Sequence, residues 1–390
     1  MAPRLSMSLV RPAALLLLAL AAACAFGPDR DMRVAAPSRE AMTATIDRLV
    51  AAGRFGGEVW RLNLAERFGE PVHGVRFTVD GDLLVVEDGN HRIHALTRGA
   101  GEHRWFVDLD AATTQTVGGT DSTLSFVCTD DVCAVTRSHG ARTMGTQQAP
   151  RTTIHLPFFP TGRAVSVGDS LYVGRLAPFS LQAIDQTTGH VGWAYATASP
   201  VCDSVVYGDG AIAQVLSLTE DGLLFSLPPR AARASAWSPK ENWHRRLPGT
   251  RPTTPMTLHG ENLLFGTENG FLYNVDARNG TVRWKAGTGR ELHGMEPFAA
   301  GDGVYQRSDD GVAAYDLASG NALWQCKGAT RVITRIADRV YVELDGEVAV
   351  LAAATGAKLA AFSPEGLSLP SVPGGGALLA SDGTNVFALE

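Results

Sequence analysis

Cys128 and Cys133 are the two residues in this sequence best spaced to react with one another. They bracket Thr-Asp-Asp-Val within an alternating, β-like stretch. If Asp130 and Asp131 are the two loop residues of a hairpin, the cysteines lie directly opposite. Opposed Cβ atoms are about 4.5–5.5 Å apart, closer in non-hydrogen-bonded pairs, and a disulfide needs about 3.5–4.5 Å. A disulfide and a pair of free buried thiols both stand as readings. The spacing does not suit zinc, since no second Cys or His pair accompanies it. His91 and His94 look like a metal pair, yet residues three apart on a strand point to opposite faces. Asp80-Gly81-Asp82 begins like a calcium loop but lacks oxygen ligands at the next positions. No Cys-x-x-Cys-His, Gly-x-Ser-x-Gly or Walker pattern occurs. The sequence therefore assigns no catalytic, cofactor-binding or metal-binding residue, and no cofactor is expected.

A basic cluster is the next candidate. Arg230, Arg233 and Lys240 lie in an insertion between Pro228 and Trp243, followed by Arg245 and Arg246. The chain carries a formal charge of −6, so this cluster stands out. It reads either as a partner loop, docking a protein or an anionic envelope surface, or as a solvated loop. The same negative balance argues against nucleic acid as a partner. A hydrophobic content of 45% is enough for a large core and excludes disorder.

The N-terminus carries different chemistry. Arg4 and Arg11 precede an apolar run from Ala13 to Ala23, too short to span a bilayer, which needs about 20 residues. This is the pattern of a secretory signal peptide over residues 1–23. Leu20-Ala21-Ala22-Ala23-Cys24 resembles a lipobox, in which the cysteine thiol takes lipid. The usual leucine three places before the cysteine is Ala21 here, with leucine one place earlier, so cleavage at an Ala-x-Ala site is the alternative. Residues 24–55 read as a tether and a short helix from Ser38 to Ala52, with Met42, Ile46, Leu49 and Val50 on one face. Export makes disulfides permissible for Cys128, Cys133, Cys202 and Cys326.

Everything after Gly56 must hold these residues in place, and it repeats itself. Asp185-x3-Gly189-x3-Trp193, Asp276-x3-Gly280-x3-Trp284 and Asp316-x3-Gly320-x3-Trp324 are the clearest copies. Anchors fall at 97, 136, 185, near 228, then at 276, 316, 352 and 390, a mean step of about 42 residues. That period predicts four-stranded antiparallel blades and an all-β, eight-bladed propeller over residues 56–390. The last anchor is Glu390, and its missing Gly and Trp reappear as Gly56-Gly57-Glu58-Val59-Trp60. An N-terminal strand is thus expected to close the ring by pairing with 385–389. Trp60, Trp105, Trp193, Trp243, Trp284 and Trp324 take the outer-strand position, where each ring can pack between blades. Basic residues are expected away from the inner strands, which offer few carboxylates.

Phe271-Leu-Tyr-Asn-Val-Asp-Ala277, Gly280, Val282 and Trp284 together resemble the repeat of the pyrroloquinoline-quinone (PQQ) type propellers. The resemblance covers about residues 56–390 and is specific in three blades. One branch of that family comprises quinoprotein dehydrogenases using PQQ and calcium; their adjacent cysteine pair has no counterpart here. The other is non-catalytic and includes the propeller lipoprotein of the outer-membrane β-barrel assembly complex. The resemblance implies a monomeric propeller, exported and lipid-anchored through Cys24 in the bacterial envelope, facing the periplasm, at the outer membrane rather than the inner. Its role would be a non-catalytic scaffold for envelope proteins. The alternative it leaves open is a PQQ-dependent or other small-molecule oxidoreductase using the propeller channel.

Overall fold

Short runs of branched and aromatic residues, such as Asn262–Gly266 and Phe271–Asp276, become strands, and the Asn-Gly and Asp-Gly pairs between them become tight turns. The structure, a computed structural model, describes residues 39–53, 55–64, 76–80, 83–88, 91–109, 115–118, 122–128, 133–139, 151–156, 158–229, 240–247, 251–292, 294–364, 366–383 and 385–390. The expected signal peptide, Cys24 and Ser38 lie outside the described residues.

The chain is a β-propeller preceded by the helix Arg39–Gly53. Seven four-stranded antiparallel blades follow in chain order at 76–108, 115–156, 160–196, 201–246, 257–287, 298–327 and 329–362. The first strands of the first six blades contact one another in turn, and that of the seventh contacts Leu378–Ser381, which places the first strands innermost. Apolar side chains from facing sheets fill the space between blades, as where Leu216, Leu218, Leu263 and Phe265 join the fourth and fifth.

The expectation of eight four-stranded blades is corrected: seven are present among the described residues. The remaining sheet has three strands, in the order Glu58–Asn63, Asn385–Leu389, Leu378–Ser381. The chain where a fourth strand would run makes a single bridge, between Ser368 and Ser381. Pro370 and Pro373 lack the N–H a ladder needs, and Gly374, Gly375 and Gly376 turn the chain away. The strand from the N-terminal side does close the ring, pairing Glu58 with Leu389 through Asn63 with Asn385.

The helix Arg39–Gly53 buries Ile46 and Leu49 against Phe362, Leu378 and Phe387. Phe55 follows it and stacks on Tyr341 with centroids 5.0 Å apart.

The structure places Trp60, Trp105, Trp193, Trp243, Trp284 and Trp324 on outermost strands. Several share one geometry. The Trp284 ring lies over Gly320 of the next blade, where a Cβ would come within 2.6 Å of it, and its Nε1 donates to Leu317 O at 2.8 Å. Trp324 does the same over Gly356, donating to Ala353 O at 2.7 Å, and Trp60 over Gly101, donating to Arg98 O at 2.9 Å. Trp243 covers Gly280, but its Nε1 has no partner among the described residues. Trp193 packs instead on Tyr172 of its own blade.

Candidate functional site

Two neighbouring inner strands, Pro160–Val167 and Val201–Tyr207, are irregular near the rim where the chain enters each blade. Pairing slips between Thr161 and Val165 in one and between Val201 and Asp203 in the other. Bulges of this kind bend a strand and re-aim its side chains. Gly162 occupies the first with φ +65, and a Cβ there would sit 2.3 Å from the carbonyl oxygen of Cys202. That close approach carries Arg163 across to the next blade.

Arg163 then ties four blades together. Its Nε and Nη2 donate to Asp203 Oδ1 and Oδ2 at 3.0 and 2.9 Å. Nη2 also donates to Met256 O at 2.5 Å, and Nη1 reaches Glu296 Oε2 at 3.4 Å. Asp203 accepts two further bonds, from the backbone N–H groups of Met256 at 2.5 Å and Ser204 at 2.9 Å. The Asp203 side chain is 4% exposed, whereas Arg163 keeps 36% of its surface open although protein surrounds it. That combination marks a group lining a concave mouth. Burial pushes the Asp203 carboxyl upward, and the guanidinium and amides pull it back. Burial also opposes the charge on Arg163, but Asp203 and Glu296 outweigh it and hold the guanidinium more firmly protonated than usual.

Beside this cluster the rim is apolar. Phe159, Leu176 and Phe179 are 44%, 53% and 39% exposed. Pro160 pairs with Arg175, so Phe159 and Leu176 flank one register position. Leu176 and Phe179 begin and end the turn to the next strand, and Arg175 lies over the Phe158 ring at 5.4 Å. Exposed apolar groups next to a fixed ion pair are a composition that protein-docking surfaces share.

The residues singled out from sequence lie elsewhere. Arg230 and Arg233 fall outside the described residues. Lys240 is exposed, but Arg245 and Arg246 belong to the outer strand Trp243–Arg246 and are not in a loop. Arg245 Nε donates to Gly280 O at 3.2 Å, and Arg246 pairs with Asp221 at 2.8 Å. Both therefore hold the fold. The backbone sets Cys128 directly opposite Cys133 at the end of a hairpin. His94 does not meet His91; its Nε2 contacts Asp88 Oδ2 at 3.1 Å and its Nδ1 contacts His103 Nε2 at 3.3 Å. Burial lowers the His94 pKa against the pull of Asp88. Cys202 and Cys326 are free, and burial raises both thiols.

Sequence reasoning missed Arg163, Asp203, Glu296 and the rim trio. It also placed basic residues away from the inner strands, and Arg163, Arg331 and Arg335 correct that. The available signal was a charged residue inside the apolar run Val201-Cys-Asp-Ser-Val-Val206, and a turn, Leu176-Ala-Pro-Phe179, built from apolar residues where other blades use Asp-Gly.

The model of the family described as outer membrane protein assembly factor BamB matches residues 45–200 and 230–366. The chain belongs to this family. Among solved structures it resembles BamB from Moraxella catarrhalis, with 19% identity, a TM-score of 0.59, and coverage of 85% of this chain and 97% of that one. It also resembles the quinohemoprotein alcohol dehydrogenase from Comamonas testosteroni, at 14% identity and a TM-score of 0.53 over 85% and 76% of the two chains. A computationally designed protein, Ika8, matches at 13% identity and a TM-score of 0.51, over 81% of this chain and 96% of that one. At these identities the likeness is one of fold. None of the curated proteins compared with the chain matches it in sequence. Among the described residues no helix is long and apolar enough to cross a membrane.

Proposed function

We propose that this BamB-family chain is a non-catalytic scaffold that holds another envelope protein against one rim of its propeller. The observation that carries this reading is the rim itself: Phe159, Leu176 and Phe179 stand exposed beside the Arg163–Asp203 pair. Exposed aromatic and aliphatic residues gain most from being covered, and a preset ion pair fixes the register of what covers them. The chain is tethered by lipid on Cys24 and works in the periplasm, at the outer membrane.

The alternative, a PQQ-dependent oxidoreductase, asks for free cations and a stacking surface in the channel, because the cofactor is a planar tricarboxylate. Arg163 is committed to Asp203, Glu296 and Met256, and the six outer-strand tryptophans lie away from the inner strands. The residues around Arg163 do not fit that group.

The test is co-isolation from cell envelopes, comparing the wild type with Leu176→Asp/Phe179→Ser. A defined partner chain should accompany the wild type and be lost from the variant, with melting temperature unchanged. Equal recovery with both proteins would overturn the rim assignment.

A further inference from the structure

A second concavity, separate from the exposed rim trio, lies where the fifth, sixth and seventh blades meet the 368–376 segment. It is a cavity of about 100 Å³ with an apolar floor that includes Phe298, Val312, Val332 and Pro373. Arg307 and Arg331 also line it. The Arg307 side chain is exposed and makes no ion pair among the described residues. Arg331 is held by Glu343 through Nε at 2.6 Å, which leaves its two terminal nitrogens uncommitted among the described residues. The one carboxylate on the lining, Glu296, is engaged by Arg163.

The walls are fixed before any ligand arrives. Thr257 Oγ1 donates to Pro297 O and Ser371 Oγ to Val332 O, each at 2.6 Å, and Arg98 holds the carbonyls of Pro373 and Gly375 from the other side. A site held open in this way does not have to be ordered on binding.

We infer that this cavity takes the C-terminal residue of a partner polypeptide, an aliphatic side chain seated on the apolar floor and its terminal carboxylate on Arg307 and Arg331. Size selects the side chain: an enclosed cavity of about 150 Å³ admits benzene, so the smaller one here suits a branched aliphatic group of leucine size. Charge selects the carboxylate, since two guanidinium groups bind a planar anion through paired N–H donors. The cations and the floor line the same small cavity, so both groups of the ligand must hang from one Cα. A chain terminus presents them that way; an acidic side chain one residue along does not.

The experiment titrates the full chain with N-acetyl-leucine, N-acetyl-leucinamide and the amide-capped dipeptide N-acetyl-leucyl-aspartate, followed by NMR. A ligand this small binds in the millimolar range. N-acetyl-leucine should bind about tenfold more tightly than its amide, the worth of a charge-assisted hydrogen bond. Arg307→Gln should cut that preference severalfold without moving the melting temperature, because the side chain is exposed, while Leu176→Asp/Phe179→Ser should leave it intact. Equal binding of acid and amide, no binding of either, or a preference unchanged by Arg307→Gln would each sink the assignment. Tighter binding of the capped dipeptide would place the carboxylate on a side chain and overturn the terminal reading.

Discussion

Gly162 presses its Cα against the carbonyl of Cys202 on the neighbouring blade, so closely that a Cβ would lie 2.3 Å from the oxygen. Its φ of +65 is a second reason for glycine. Gly162→Ala therefore forces the bulge apart and withdraws Arg163 from Asp203, whose carboxylate is then buried with fewer donors. We expect a loss of about 3 kcal/mol or more, read as a lowered melting temperature, and weakened partner binding. Ala164, two residues on and buried, is the comparison: Ala164→Gly leaves the bulge in place and should cost about 1 kcal/mol. Equal melting of Gly162→Ala and the wild type would refute the link between the bulge and the ion pair.

Acid should loosen the fourth blade through Asp221. Burial opposes ionisation of this carboxyl, but Thr219, Arg246 and Ser199 outweigh it and hold its pKa at about 2. An aspartate in the unfolded chain titrates near about 3.9. The folded pKa is the lower of the two, so this stabilisation is complete above the unfolded value and is lost as pH falls from about 5 towards about 2. Asp221→Asn should cost about 1 kcal/mol at neutral pH, given the partial exposure of the pair, and should flatten the fall in melting temperature below pH 5. Parallel wild-type and variant curves would exclude Asp221 as a source of that fall.

The repeating parts of the molecule were legible because they obey local rules. The Asp276–Gly280–Trp284 spacing sets a turn in which Asp276 accepts the N–H of Arg278 and Gly280 takes φ +72, and both follow from residue type. The ring closure was legible because Trp60 completes a pattern that Glu390 leaves unfinished. The cluster at the rim was not. Arg163 and Asp203 lie 40 residues apart, and their meeting depends on two bulges that no period announces. The three-stranded closing sheet was missed for a related reason: the repeat was counted by its turns and tryptophans, whereas Pro370 and Pro373 decide whether the innermost strand can form.

Cys128 and Cys133 are backbone partners across a hairpin end, which brings a disulfide within reach. Closing so short a loop should contribute about 2 kcal/mol. Protein isolated from an oxidising compartment should be lighter by two hydrogens than after reduction, with the bond mapped to this pair. Reduction should lower the melting temperature, and Cys128→Ser/Cys133→Ser should melt as the reduced wild type does. A free thiol at both positions in freshly isolated protein would show the bond to be absent.

The ring is held shut by one strand and one arginine, and the two should fail together. Glu58–Asn63 brings Trp60 onto Gly101 of the first blade, with its Nε1 bonded to Arg98 O. The same Arg98 reaches back across the closure to the carbonyls of Pro373 and Gly375. Trp60 thus positions the residue that pins the loop standing in for the missing innermost strand. Trp60→Ala removes a side chain only 8% exposed and should cost about 3–5 kcal/mol. Arg98→Ala frees two carbonyls and a packed stem, for about 2 kcal/mol. Because both contacts meet at residue 98, the two changes are close enough to couple, and the double variant should lose clearly less than the sum of the singles. Hydrogen exchange should locate the loss in 378–389 and in the first blade, with the fifth blade still protected. Additive losses, or uniform exchange around the ring, would mean that closure is spread over all the blade contacts and not concentrated at this latch.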